Sequence, residues 1–160
     1  MEIESIFVTK LPDWKVLERK NKRQISFSKP FEREEIVFEA PATIPSMGKA
    51  GVIKMRINYP LPNEELIIRR SIEIAKEEMC KGIPPYLKYN EDEISIETIT
   101  IENKRVESVT IPLYVFPGIT PKVRSIIISM GKITYVTYGL YENAEILANI
   151  LIENITEEER

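Results

Sequence analysis

The side chains able to do chemistry in this 160-residue chain are few and scattered. Cys80 is the only thiol, and there is no histidine to act as its base. It falls at the end of a helix-like segment, where the negative end of the dipole disfavours thiolate, so we read it as unreactive. Ser46-Met47-Gly48-Lys49-Ala50-Gly51 resembles a phosphate loop superficially. A Walker A sequence needs glycine where Thr43 stands and Ser or Thr where Ala50 stands, so that chemistry is rejected. We expect instead a partner-binding loop over Pro41–Gly51 containing Met47 and Lys49. Tyr86 and Tyr89, with Tyr138 and Tyr141, are the residue type that suits a surface half apolar and half wet, and they are candidates for an aromatic groove. Lys15, Arg19, Lys20, Lys22 and Arg23 lie near Trp14 and Phe27, the combination that phosphate contact plus base stacking requires. Glu91, Asp92 and Glu93 are a dense acidic run without calcium-loop spacing and read as solvated. Asn154-Ile155-Thr156 matches a glycosylation sequon only formally.

Composition removes most familiar active sites. With no histidine, neither a Ser-His-Asp triad, a Cys-His pair nor an HExxH zinc helix can be built. One cysteine makes no internal disulfide, four-cysteine zinc site or iron–sulfur cluster. No cofactor is expected. The net charge of -3 argues against bulk attraction to nucleic acid. The Met-Glu-Ile-Glu start lacks the character of a signal peptide, and no apolar run is long enough to span a bilayer, so a soluble cytoplasmic protein is expected. Scarce glutamine with heavy Glu, Lys and Ile resembles hyperthermophile usage.

Two long amphipathic helices must position whatever site exists. The first is predicted over about residues 63–81: Asn63 is a good N-cap, Ile67, Ile68, Ile72, Ile74, Ala75 and Met79 share one face, and Gly82 with Pro84-Pro85 ends it. The second is predicted over about residues 142–155, where Ala144, Leu147, Ala148, Leu151 and Ile155 recur at helical spacing. Between them the chain alternates as strands. Val52–Tyr59 sets Ile53, Met55 and Ile57 inward and Lys54 and Arg56 outward. Glu93–Glu102 and Arg105–Phe116 read as a hairpin turning at Asn103-Lys104, with Glu102 opposite Arg105. A parity change between Ile96 and Ile99 predicts a bulge or strong twist. Val123–Met130 and Ile133–Tyr138 form a second hairpin around Gly131-Lys132, of type II′.

Ile126, Ile127 and Ile128 in a row imply a strand buried on both faces. Two helices, one for each face, then give a single α+β domain over residues 1–160: a three-layer α/β/α sandwich on a mainly antiparallel sheet of 5–7 strands, with a frayed acidic tail at 157–160. Near the N-terminus, Ile3–Thr9 reads as a strand. Trp14–Arg19 and Gln24–Ser28 read as pairing around Lys20-Asn21-Lys22 unless Pro12 begins a short helix, and Ile36–Ala40 reads as a strand.

This order of elements resembles the PsbP-like fold family, which a Ran-binding regulator shares. Phe7-Val8-Thr9-Lys10-Leu11-Pro12-Asp13-Trp14 and Ile25-Ser26-Phe27 look like the family's opening of a short strand, a proline and tryptophan, and further strands. The helix after an amphipathic strand, and the closing hairpin with Gly131-Lys132-Ile133-Thr134-Tyr135 at its turn followed by a helix, fit the same pattern. Members are mostly non-enzymatic, so the resemblance implies binding rather than catalysis. The sequence therefore leads to a non-enzymatic binding protein for a protein partner or small apolar ligand, with homo-oligomers allowed. The alternatives are a nucleic-acid accessory protein using Lys15–Arg23 and a carboxylate-based enzyme, for which no motif places paired acids.

Overall fold

A computed structural model describes residues 3–26, 29–41, 48–57, 64–82, 89–113, 121–130 and 132–158. Seven strands are described: β1 (Lys15–Ser26), β2 (Lys29–Glu39), β3 (Lys49–Arg56), β4 (Ser95–Ile101), β5 (Lys104–Pro112), β6 (Lys122–Met130) and β7 (Ile133–Leu140). They form one sheet in the order β1-β2-β3-β7-β6-β5-β4. Every neighbouring pair is antiparallel. The helices are α1 (Ile3–Lys10), α2 (Glu64–Gly82) and α3 (Tyr141–Glu158).

Side-chain alternation divides the core by face. Ile53 and Met55 of β3, Ile127 of β6 and Val136 of β7 pack with Ile67, Ile74, Ala75 and Met79 of α2. Val52, Ile126, Ile128 and Tyr135 point the other way, onto Leu147, Ala148, Leu151 and Ile152 of α3. The isoleucine triplet thus serves both faces, as its lack of alternation requires, and the central strands β3, β6 and β7 are buried through their interiors. The same double burial corrects the expected outward position of Lys54. This lysine turns toward the α3 side and is itself buried.

The N-terminus departs from expectation. Ile3–Lys10 is a helix, not a strand, and the sheet begins only at Lys15. The run is rich in β-branched residues, but Phe7 and Leu11 recur at i and i+4, and burial overrides a weak local preference. Phe7 is fully buried and meets Phe38 edge-on at 5.7 Å, and Trp14 meets Phe38 at 6.2 Å. Arg19 of β1 ties Glu4 of α1 to the sheet. The expected turn at Lys20-Asn21-Lys22 is also absent. Strand β1 runs straight through it, and Ser26 pairs Lys29 instead. In this register Lys20 lies across from Glu35, an opposite-charge pair that suits it.

The β4–β5 hairpin turns one residue earlier than expected. Ile101 pairs Lys104, so Arg105 faces Thr100 and not Glu102. Glu102 and Asn103 adopt φ of 47° and 68°, the type I′ pair that matches strand twist and that asparagine tolerates. No bulge interrupts Ile96–Ile99, because the register is unbroken from Ser95 to Ile101. The apparent parity change arises because Ile96 lies on an edge strand and is 47% exposed. Met130 pairs Ile133 as expected, while Gly131 and its turn type lie outside the described residues, as does Asn63.

Candidate functional site

Two polar groups interrupt the α2-side core. The first is closed. Glu35 and Arg33 point from β2 toward the C-terminal half of α2 and are buried. Tyr138 of β7 donates its hydroxyl to Glu35 Oε1 at 2.8 Å. Its ring lies across Gly51, where a Cβ would fall 2.3 Å from the hydroxyl oxygen. Arg33 Nη2 donates to Glu78 of α2 at 3.0 Å and lies 3.7 Å from Glu35. Lys81 reaches Glu78 at 3.3 Å and Lys20 reaches Glu35 at 3.9 Å. Burial, then the charge and hydrogen bond of Glu35, push the Tyr138 hydroxyl far above its ordinary range. At Glu78 burial would raise the carboxyl, but the hydrogen bonds and charges of Arg33 and Lys81 together outweigh it and hold the group below the usual range. Two carboxylates do meet here, which no sequence motif announced. They share the one guanidinium of Arg33, so the arrangement ties α2 to β2.

The second group is open. Beside Ile68 of α2, a cleft of about 340 Å³ lies over β4, β5 and β6. Its lining includes Thr98, Arg105, Glu107, Ile127 and Ser129. Thr98 donates its hydroxyl to Glu107 Oε1 at 2.9 Å. Arg105 is exposed and makes no ion pair among the described residues. Ser129 and Thr134 are cross-strand partners on this face. Their hydroxyl oxygens are buried and lack a hydrogen-bond partner among the described residues. Each such buried hydroxyl costs roughly 1–3 kcal/mol unless something pairs with it. The cleft therefore combines a guanidinium without an ion pair among the described residues, a carboxylate and an unsatisfied hydroxyl, beside the apolar Ile68 and Ile127. Among the described residues, no cluster of three or more His, Cys, Asp or Glu is placed to hold a metal.

The residues singled out from the sequence do not converge. Met47 and Tyr86 lie outside the described residues. Lys49 is exposed at the start of β3. Tyr138 is buried in the closed network, and Tyr89 packs half-buried against the same core. Cys80, itself half-buried, raises the Tyr89 phenol by hydrogen bonding and charge. Tyr141 sits apart at the start of α3, where the Arg124 guanidinium lies 4.3 Å from its ring centre. Lys15, Arg19, Lys20, Lys22 and Arg23 all fall on edge strand β1. Arg19 is engaged by Glu4, and Lys20 by Glu18 and Glu35. Trp14 is packed edge-on against Phe38 and partly buried, which spends its ring on the core rather than on base stacking. The side chains of Lys22 and Arg23 are outside the described set.

Sequence reasoning missed the cleft. Its signal was available at Ser129 and Thr134, polar residues at core parity and symmetric about the Gly131-Lys132 turn. No family model, curated protein or solved structure matches this chain. Among the described residues, no helix is long and apolar enough to cross a membrane.

Proposed function

We propose that this chain is a non-enzymatic binding protein, a three-layer α/β/α sandwich of the PsbP-like kind, that holds a small polar ligand with an acidic group in the cleft beside α2. The observation that carries this reading is the buried Ser129 hydroxyl, which lines the cleft and lacks a hydrogen-bond partner among the described residues. A ligand oxygen would satisfy Ser129 and face the Arg105 guanidinium, and charge-assisted bonds of that kind are the strong ones. The polar lining moves the ligand class away from the apolar molecule expected from sequence. Among the described residues, Glu107 is the one carboxylate lining the cleft, and it is engaged by Thr98, so no second acid for general acid–base work stands beside it there. The PsbP-like reading is supported by a long helix, α2, following β3 and by the closing order β6, β7, α3. The helical opening at Ile3–Lys10 departs from it.

Calorimetry and thermal shift with a panel of small carboxylates and phosphates test the site. At least one compound is expected to bind, and Arg105→Ala is expected to weaken it about tenfold or more, the scale of a hydrogen bond to a charged group. Ser129→Ala should weaken it less, and Lys15→Ala not at all. No binding across the panel, or binding indifferent to Arg105→Ala, would sink the proposal.

A further inference from the structure

Among the described residues, the two edges of the sheet, β1 and β4, differ in how they are protected. Strand β1 has the sequence Lys-Val-Leu-Glu-Arg-Lys-Asn-Lys-Arg-Gln-Ile-Ser and a register break between Val16 and Glu18. Cationic residues and bulges are the usual devices that stop an edge from pairing with another chain. Strand β4 has none of them. Its sequence is Ser-Ile-Glu-Thr-Ile-Thr-Ile, without lysine, arginine, proline or bulge, and all of it is exposed or half-exposed. Five of its seven residues are β-branched, the type that favours strands.

We propose that β4 is a dimerisation strand, and that a second copy of this chain pairs with it antiparallel about a two-fold axis at Ile99. The backbone allows it. A two-residue turn closes on a hydrogen-bonded pair, here Ile101 and Lys104. Alternation then directs the backbone groups of Ile101, Ile99 and Glu97 to β5, and those of Ile96, Thr98 and Thr100 outward. With Ile99 on the axis, Thr98 of each copy exchanges hydrogen bonds with Thr100 of the other. The two Ile99 side chains meet as a close non-hydrogen-bonded pair on the α3 side, where Ile99 and Ile101 are only partly buried in the free chain.

Charge selects this register and this occupant. Pairing centred on Glu97 would set two carboxylates face to face, and pairing centred on Thr98 would leave them on a close diagonal. Centring on Ile99 moves Glu97 opposite Ile101 of the other copy. Lys104, the β5 partner of Ile101, is then two strand spacings away, roughly 9.5 Å between backbones, which the two long side chains span together. Lys104 is half-buried and has no ion pair among the described residues. The symmetry makes this contact twice, once for each copy, which an unrelated peptide would not do.

Sedimentation of the full chain over a concentration series tests the interface. The expected species has twice the 18.5 kDa chain mass. Ile99→Lys, which sets two cations on the axis, should halve that mass and leave the circular dichroism of the chain unchanged. If that variant fails to fold, Ile99→Cys in a Cys80→Ser background decides the matter, since residues on the axis come close enough for a disulfide-linked dimer on oxidation. A monomer at every concentration, a dimer indifferent to both changes, or open-ended assembly reversed by Lys15→Glu, which would mean β4 pairing with β1 head to tail, overturns the proposal.

Discussion

Tyr138 shows how one phenol can hold a strand two places away and a neighbouring glycine in register. Its hydroxyl serves buried Glu35, and its ring occupies the space that Gly51 leaves empty. Tyr138→Phe keeps the ring and deletes the donor, so Glu35 loses a buried hydrogen bond. At neutral pH this should cost about 1–3 kcal/mol, measurable by urea unfolding. The alkaline limb should change as well. Because the folded-state value of Tyr138 is raised, its contribution is intact below the unfolded value of about 10 and is lost as pH climbs above it. The wild type should therefore lose stability above that pH more steeply than Tyr138→Phe. None of this was legible in the sequence. The tyrosine and its glutamate are 103 residues apart, and only the cross-strand pairing of β2, β3 and β7 brings them together.

Among the elements, legibility followed periodicity. The long helices declared themselves because their apolar residues recur at 3.6 spacing over many turns. They are found at Glu64–Gly82 and Tyr141–Glu158, within a residue or three of the expected ends. The isoleucine triplet of β6 gave away a sheet covered on both sides. Short elements were less readable. Four of the eight residues of Ile3–Lys10 are β-branched, so the run looks like a strand until Phe7 is seen packed on Phe38. The β4–β5 turn was misplaced by one residue because the signal there is the tolerance of Asn103 for a left-handed backbone, which alternation does not encode. Asn103→Val puts a β-branched side chain at φ 68° and should cost about 1–3 kcal/mol, read as a lower thermal midpoint. Asn103→Gly should cost little or stabilise, since glycine adopts that region freely.

At the scale of the whole molecule, sheet coverage explains where a site can be. With α2 packed on one face of the central strands and α1 and α3 on the other, β3, β6 and β7 are closed, and residues such as Tyr138 are consumed by packing. The α2-side cleft near β4 leaves polar atoms at core depth. The candidate residues chosen from the sequence were those of conspicuous type, tyrosine and lysine in loops. The cleft uses inconspicuous ones, Ser129, Thr98 and Arg105, whose meaning comes from depth and neighbours rather than identity.

The strand order has one more consequence. Strands β1, β2 and β3 are a meander of chain neighbours, and so are β4 to β7, while β3–β7 is the sole pairing that joins the two. Each meander closes short loops, but the β3–β7 seam must close across the whole intervening chain, a larger entropic cost. We expect the two meanders to gain structure early in folding and the seam to zip late. Val52→Ala and Val136→Ala, both at fully buried seam positions, should then mainly accelerate unfolding in stopped-flow chevrons. Changes at the Glu102-Asn103 turn should mainly slow refolding. The opposite partition would place the seam in the folding nucleus and make the centre of the sheet its first, not its last, part to form.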